Sequence, residues 1–303
     1  MYLLLENNGA IACYTKALES RNGKCFRRVT KEGYNQSLEI NERIGNFKTQ
    51  AVTLHNLGYI YANKGKVDQA IALYNQSLEI KERVGDIQGK AATLHCLGIL
   101  YANKGEVDQA IALYNQSLEI TERIGNVQTK AATLHQLAGI YVNKGEVDQA
   151  IALYNQSLEI TERIGNVQTK AATLHQLGII YANKGEVDQA IALYNQSLEI
   201  TERIGNVQTK AATLHQLAGI YVNKGEVDQA IALYNQSLEI KERIGDVRSQ
   251  AITLCWLGHL AEQQGEYTKA ISYLQPALEI LQRLKSPDAE SVSASLDRVI
   301  RNS

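Results

Sequence analysis

AATLHQLAGIYVNKGEVDQAIALYNQSLEITERIGNVQTK, residues 131–170, is followed at 171–210 by the same segment with three changes, at Gly178, Ile179 and Ala182. Self-similarity at a fixed period marks a repeat architecture, in which each unit is one supersecondary element stacked on the next. Outward from this pair, copies begin at Ala51, Ala91, Ala131, Ala171, Ala211 and Ala251, the last diverging after its first helix pair. The 303-residue length alone would suggest two globular domains, but a 40-residue period overrides that expectation.

In Ala91–Lys130, Leu94, Leu97, Leu100 and Tyr101 recur at three- and four-residue spacing, one face of a first helix. Asn103-Lys104-Gly105 ends it, with Gly105 in the left-handed conformation that a Cβ would disfavour. A second helix follows, with Glu106 and Asp108 in its first turn and a buried stripe of Val107, Ala110, Ile111, Leu113, Tyr114, Leu118 and Ile120. It stops at Gly125, and Asn126 caps the next first helix, as Asp86, Asn166, Asn206 and Asp246 do in their copies. Glu119 stands four residues before Arg123, the orientation of a stabilising helix pair.

These residues resemble the tetratricopeptide pattern W-x2-L-G-x2-Y…A-x3-F…P, read here as Leu94-x2-Leu97-Gly98-x2-Tyr101…Ala110-x3-Tyr114…Glu122. Leu stands for Trp, Tyr for Phe and Glu for the terminal Pro, so the second helix runs on, as in the longer repeats of kinesin-light-chain and LGN type. The resemblance implies an all-α, right-handed α-solenoid, a superhelix of antiparallel helix hairpins. It covers residues 51–284 as six repeats. Residues 1–50 read as a degenerate N-terminal repeat, with a first helix near residues 3–20 and a turn at Asn22-Gly23. Residues 285–303 read as a C-terminal capping helix with Ser286-Pro287 at its start, presenting Val292, Leu296, Val299 and Ile300. Pro276 is expected to interrupt and kink the last second helix.

With 31 basic and 32 acidic residues, the chain carries no global field to attract nucleic acid or anionic membrane. Cys13, Cys25, Cys96 and Cys255 form no C-x-x-C pair and read as free thiols of a reducing compartment. With no long apolar segment, the expected location is cytoplasmic. No H-E-x-x-H, G-x-S-x-G or phosphate-cradling glycine loop occurs, so neither an enzyme nor a cofactor is expected.

Comparing 91–170 with 171–250 gives seven differences in 80 positions, distributed over core and surface alike. Such copying hides a functional surface, and the positions where copies disagree become the informative ones. The resemblance places positions 2, 5, 9, 12 and 13 of each first helix on a concave, peptide-binding groove. Position 5 gives His55, His95, His135, His175 and His215, broken by Cys255. Two readings stand for this ladder: hydrogen bonding between adjacent helices, or lining a groove sensitive to mild acid. Packed helices lie ~8–10 Å apart, so these histidines cannot share one zinc ion, and no metal is expected. Position 13 gives Asn63, Asn103, Asn143, Asn183 and Asn223, which either clasp an extended peptide backbone or satisfy helix-end carbonyls. Position 9 varies as Tyr59, Ile99, Gly139, Ile179, Gly219 and His259; Gly139 and Gly219 either open two pockets or reflect drift after duplication. Trp256 completes the candidate set. Arg83, Arg123, Arg163, Arg203 and Arg243 offer positive charge near the groove rim or simply pair on the helix surface.

The function expected is a non-catalytic protein–protein interaction scaffold that holds a peptide or partner helix in the groove. The alternative is a regulatory or sensor segment of a larger signalling ATPase or transcription regulator. A third is a structural array that self-associates weakly through its ends. No nucleic-acid or membrane partner is expected.

Overall fold

A computed structural model describes residues 31–303, so the expectations for the first helix, its turn, Cys13 and Cys25 lie outside the described residues. Among the described residues there are 14 helices and no strand, and no helix is long and apolar enough to cross a membrane. The chain divides into two compact units, Met1–Lys144 and Gly145–Ser303.

In the first unit the helices are α1 (Lys31–Ile44), α2 (Phe47–Asn63), α3 (Val67–Arg83), α4 (Ile87–Asn103), α5 (Val107–Ile124) and α6 (Val127–Asn143). The second contains α7 (Val147–Ile164), α8 (Val167–Asn183), α9 (Val187–Ile204), α10 (Val207–Asn223), α11 (Val227–Ile244), α12 (Val247–Gln263), α13 (Tyr267–Arg283) and α14 (Asp288–Asn302). The most extensive packing joins α2 to α3 and α4 to α5 in one unit, and α8 to α9, α10 to α11 and α12 to α13 in the other. Each such pair is an antiparallel hairpin of the tetratricopeptide solenoid class. Consecutive first helices also touch directly, α2 to α4, α4 to α6 and α8 to α10, which sets them on the inner side of their stack.

The turns follow from glycine and the caps. Gly105 has φ +79°, its N–H reaching the Ala102 carbonyl at 3.0 Å while Glu106 N–H reaches Tyr101 at 2.9 Å. That pair of bonds closes α4 with a Schellman motif. Asp86, Asn126, Asn166, Asn206 and Asp246 each accept a backbone N–H three residues on, at 2.8–3.2 Å, as expected of N-caps.

The second-helix stripe differs from the expected one in being partly polar. Ala110, Tyr114, Ser117 and Thr121 are buried, whereas Val107, Ile111, Leu113, Leu118 and Ile120 are only half-buried. Ser117 is fully buried because its hydroxyl donates to the Ala91 carbonyl of the paired first helix at 2.9 Å, and Ser77, Ser197 and Ser237 repeat the clasp. A small residue lets the helices approach, and the hydrogen bond removes the penalty of burying its hydroxyl. Glu119 and Arg123 do not reach ion-pair distance. Instead the turn is bridged by Glu122 to Lys130 at 2.9 Å, with matching Glu82–Lys90, Glu162–Lys170 and Glu202–Lys210 pairs.

Pro276 does not interrupt its helix. α13 runs unbroken through it, with Ala270, Leu274, Ala277, Leu278 and Leu281 buried against neighbouring helices. This continuous apolar face outweighs the one backbone donor that proline lacks. α14 packs on α13 with Val292, Leu296 and Val299 buried, and Arg298 forks onto Glu262 of α12 at 2.7 and 2.9 Å.

Candidate functional site

Position 5 of the first helices lies between neighbours. His55 Nδ1 is 3.1 Å from Thr93 Oγ1, His95 3.0 Å from Thr133, His175 2.9 Å from Thr213 and His215 3.1 Å from Thr253. Each threonine already donates its single hydroxyl hydrogen to a carbonyl four residues back, at 2.8–3.0 Å. The imidazole is therefore the donor in each pair, a neutral ring protonated on Nδ1. The rings of His55 and His215 meet Tyr74 and Tyr234 edge-on at 5.0 Å, and those of His95 and His175 lie tilted at 5.8 Å from Tyr114 and Tyr194.

Burial pulls all four imidazoles from 6.5 down to about 4, with Lys81 adding to the effect at His55 and Lys241 at His215. The expected charging of the ladder in mild acid is thus corrected: desolvation keeps these rings neutral through that range. His135 holds the same sequence position and is half-buried. Cys255, which breaks the ladder, has its thiol pushed up to about 11 by burial, so it is a poor nucleophile.

The asparagines behave oppositely. Asn63, Asn103, Asn143, Asn183 and Asn223 each end a first helix and are exposed. Their amides make no hydrogen bond among the described residues. Backbone donors already serve the helix-end carbonyls, as Lys104 N–H to Leu100 and Gly105 N–H to Ala102 illustrate. Both the donor and the acceptor of each side-chain amide remain available.

Position 9 gains a packing account at Gly219. In two copies with glycine at position 8 the tyrosine of the second helix closes on it: an added Cβ at Gly98 or Gly178 would lie 2.5 Å from the ring of Tyr114 or Tyr194. Ala218 occupies position 8 in its copy, and there the nearest atom to a Cβ added at Gly219 is the Tyr234 hydroxyl, at 3.7 Å. Gly219 thus leaves ordinary van der Waals room over the tyrosine tip. Gly139 is half-buried, and Tyr59 is exposed by 52%.

In the last hairpin the copies' disagreements converge. Trp256, 43% exposed, stacks on Tyr234 with ring centres 6.3 Å apart and planes at 12°. Ile252, Cys255, Trp256 and His259 of α12, with Leu281 and Val292, line an apolar crevice of 420 Å³ beside α14. Trp256 and His259 were legible in the sequence. Ile252 departs from Ala at position 2 in four of the other copies but looks like an ordinary apolar helix residue along the chain; Leu281 and Val292 enter only through the tertiary contact. Among the described residues the second-helix arginines show one ring contact, Arg83 stacking over Phe47 at 4.3 Å, which packs the cation against the start of the first helix of its own hairpin.

Family models described as Tetratricopeptide repeat match residues 89–163 and 169–243, and again 51–83 and 251–280. No curated protein matches the chain. Many solved structures are similar, among them these three. A putative kinesin light chain of Podosopora anserina with nearly identical TPR-like repeats is 25% identical over 64% of this chain and 95% of that one, with TM-score 0.50. A signal transduction ATPase with numerous domains from Pyrococcus horikoshii, bearing a tetratricopeptide repeat sensor, is 18% identical over 93% of this chain and 43% of that chain, with TM-score 0.74. A Rap protein complexed with Competence and Sporulation Factor is 16% identical over 96% of this chain and 87% of that chain, with TM-score 0.66.

Proposed function

Because the chain belongs to the tetratricopeptide repeat family, whose fold is generally non-catalytic and serves protein–protein interaction, we propose that it is a scaffold binding an extended peptide or partner helix along its first helices. The observation that carries this is the exposed asparagine amides at the ends of the first helices of each unit, Asn63, Asn103 and Asn143 in one and Asn183 and Asn223 in the other, which have no partner among the described residues. A side-chain amide offers one donor face and one acceptor, the pair a peptide backbone presents. The neutral, bonded histidines support the inner wall of the groove, and Trp256 with Ile252 supplies an apolar anchor of the kind that concentrates binding energy. Unpaired thiols at Cys96 and Cys255 fit a cytoplasmic setting.

The test is selection of peptides from a displayed random library on the full chain, repeated on the variant Asn103→Ala, Asn183→Ala, Asn223→Ala. Peptides that bind the parent and lose at least about tenfold in affinity for the variant support the groove, since each lost hydrogen bond costs about 0.5–1.5 kcal/mol. Equal affinity for both refutes it. A second reading, a sensor segment of a larger ATPase or regulator, rests on the 93% coverage by the ATPase with a tetratricopeptide repeat sensor, a likeness of fold. A nucleotide-binding domain in the same reading frame would favour it.

A further inference from the structure

Lys81 and Lys241 occupy a second-helix position where the three intervening copies carry Thr121, Thr161 and Thr201. Both lysines are buried, at 3% and 5% exposure. A buried ammonium is costly unless paired with an opposite charge. Yet no carboxylate lies within ion-pair distance of either amine among the described residues.

Lys241 Nζ donates to Thr253 Oγ1 at 2.7 Å, and Lys81 Nζ to Thr93 Oγ1 at 2.8 Å and to the Gly89 carbonyl at 3.3 Å. All these partners are acceptors. The hydroxyl hydrogens of Thr253 and Thr93 point to the Ser249 and Gly89 carbonyls, and the Nδ1 hydrogens of His215 and His55 point to the same threonines. When either amine is neutral, none of these neighbours can donate to its lone pair.

Each lysine also lines a crevice. Lys241 lines a 380 Å³ crevice between α10 and α12 with Gln208, His215, Gln216, Asp246 and Ser249, and Lys81 lines one of 560 Å³. We propose that Lys241 and Lys81 are nucleophilic modification sites that take small neutral aldehydes as imines. The Nζ lone pair attacks the carbonyl carbon, the C=O π pair moves to oxygen, one proton passes from nitrogen to oxygen, and loss of water leaves Nζ=C. No oxidant or reductant enters. An imine adds no negative charge beside Asp246, whereas a carbamate or other anionic adduct does. Burial, which pulls Lys241 down to about 8 and lowers Lys81 as well, raises the neutral fraction of both amines.

The test uses the full chain with propanal and cyanoborohydride, which reduces each imine to a stable secondary amine, followed by mass mapping of every lysine. Lys81 and Lys241 should be labelled about tenfold faster than exposed lysines such as Lys48 and Lys64, and the preference should vanish in the urea-unfolded chain. Lys241→Thr reproduces the residue of three sibling copies, so it should fold while losing only the label at 241. Labelling of Lys81 and Lys241 no faster than the exposed lysines overturns the proposal.

Discussion

At the scale of single residues, the repeat carries its own controls. At Gly98 and Gly178, position 8 of their copies, the tyrosine ring lies 2.5 Å from where a methyl would sit, whereas the Ala218-Gly219 copy has the methyl and frees space one residue on. Gly178→Ala alone should therefore lower stability by about 1 kcal/mol, the overpacking cost exceeding the gain in helix propensity. Adding Ile179→Gly recreates the sibling pair, so a double-mutant cycle read by urea midpoint should show favourable coupling between the two changes. A purely additive cycle would show that the tyrosine does not mediate between positions 8 and 9. Thr213→Val removes the acceptor of His175, the imidazole that is 9% exposed, and should cost about 1–3 kcal/mol because a buried N–H is left unmatched. The histidines and asparagines themselves were visible as ladders in the sequence. Their opposite fates were not, because the threonine that receives each imidazole lies 38 residues away on another helix.

At the scale of elements, helix limits were legible because they are set locally by glycines of positive φ and by Asn or Asp caps. The polar half of the second-helix stripe was missed because Ser117 and Thr121 look like surface residues until the partner helix supplies a carbonyl or closes over them. α13 stays unbroken for a related reason. A proline predicts a break from local chemistry, but burial of Leu274, Leu278 and Leu281 holds the helix continuous. Pro276→Gln, the residue that sibling copies carry here, should raise the thermal midpoint, with a gain of up to about 3 kcal/mol. An unchanged or lower midpoint would mean that the proline is relieved elsewhere. If residues 285–303 act as a cap, as the sequence suggests, their deletion exposes Leu281 and Leu274; the shortened chain should then lose stability and associate, detectable by light scattering as a function of concentration.

At the scale of the whole molecule, the four imidazoles held near 4 couple stability to pH. Their folded-state values lie below the ordinary 6.5, so the unfolded chain binds more protons between those limits. Stability should be full above about pH 6.5, fall as pH drops through the window, and level off for these groups below about 4. Each contributes at most about 1.4 kcal/mol per pH unit within it. Urea midpoints measured from pH 7.5 to 4.5 check this, and a flat profile would show that the imidazoles are hydrated. The sequence by itself determined the architecture: a 40-residue period, helical spacing of Leu, Ala and Tyr, and a glycine at each turn within the repeats leave a stack of hairpins as the way to bury every apolar face. Only the tertiary structure decided which repeated polar residues are bonded inward, which are free, and that two lysines among otherwise similar copies are buried. Those properties depend on how one copy is set against the next, and a pattern read along the chain carries no such distance.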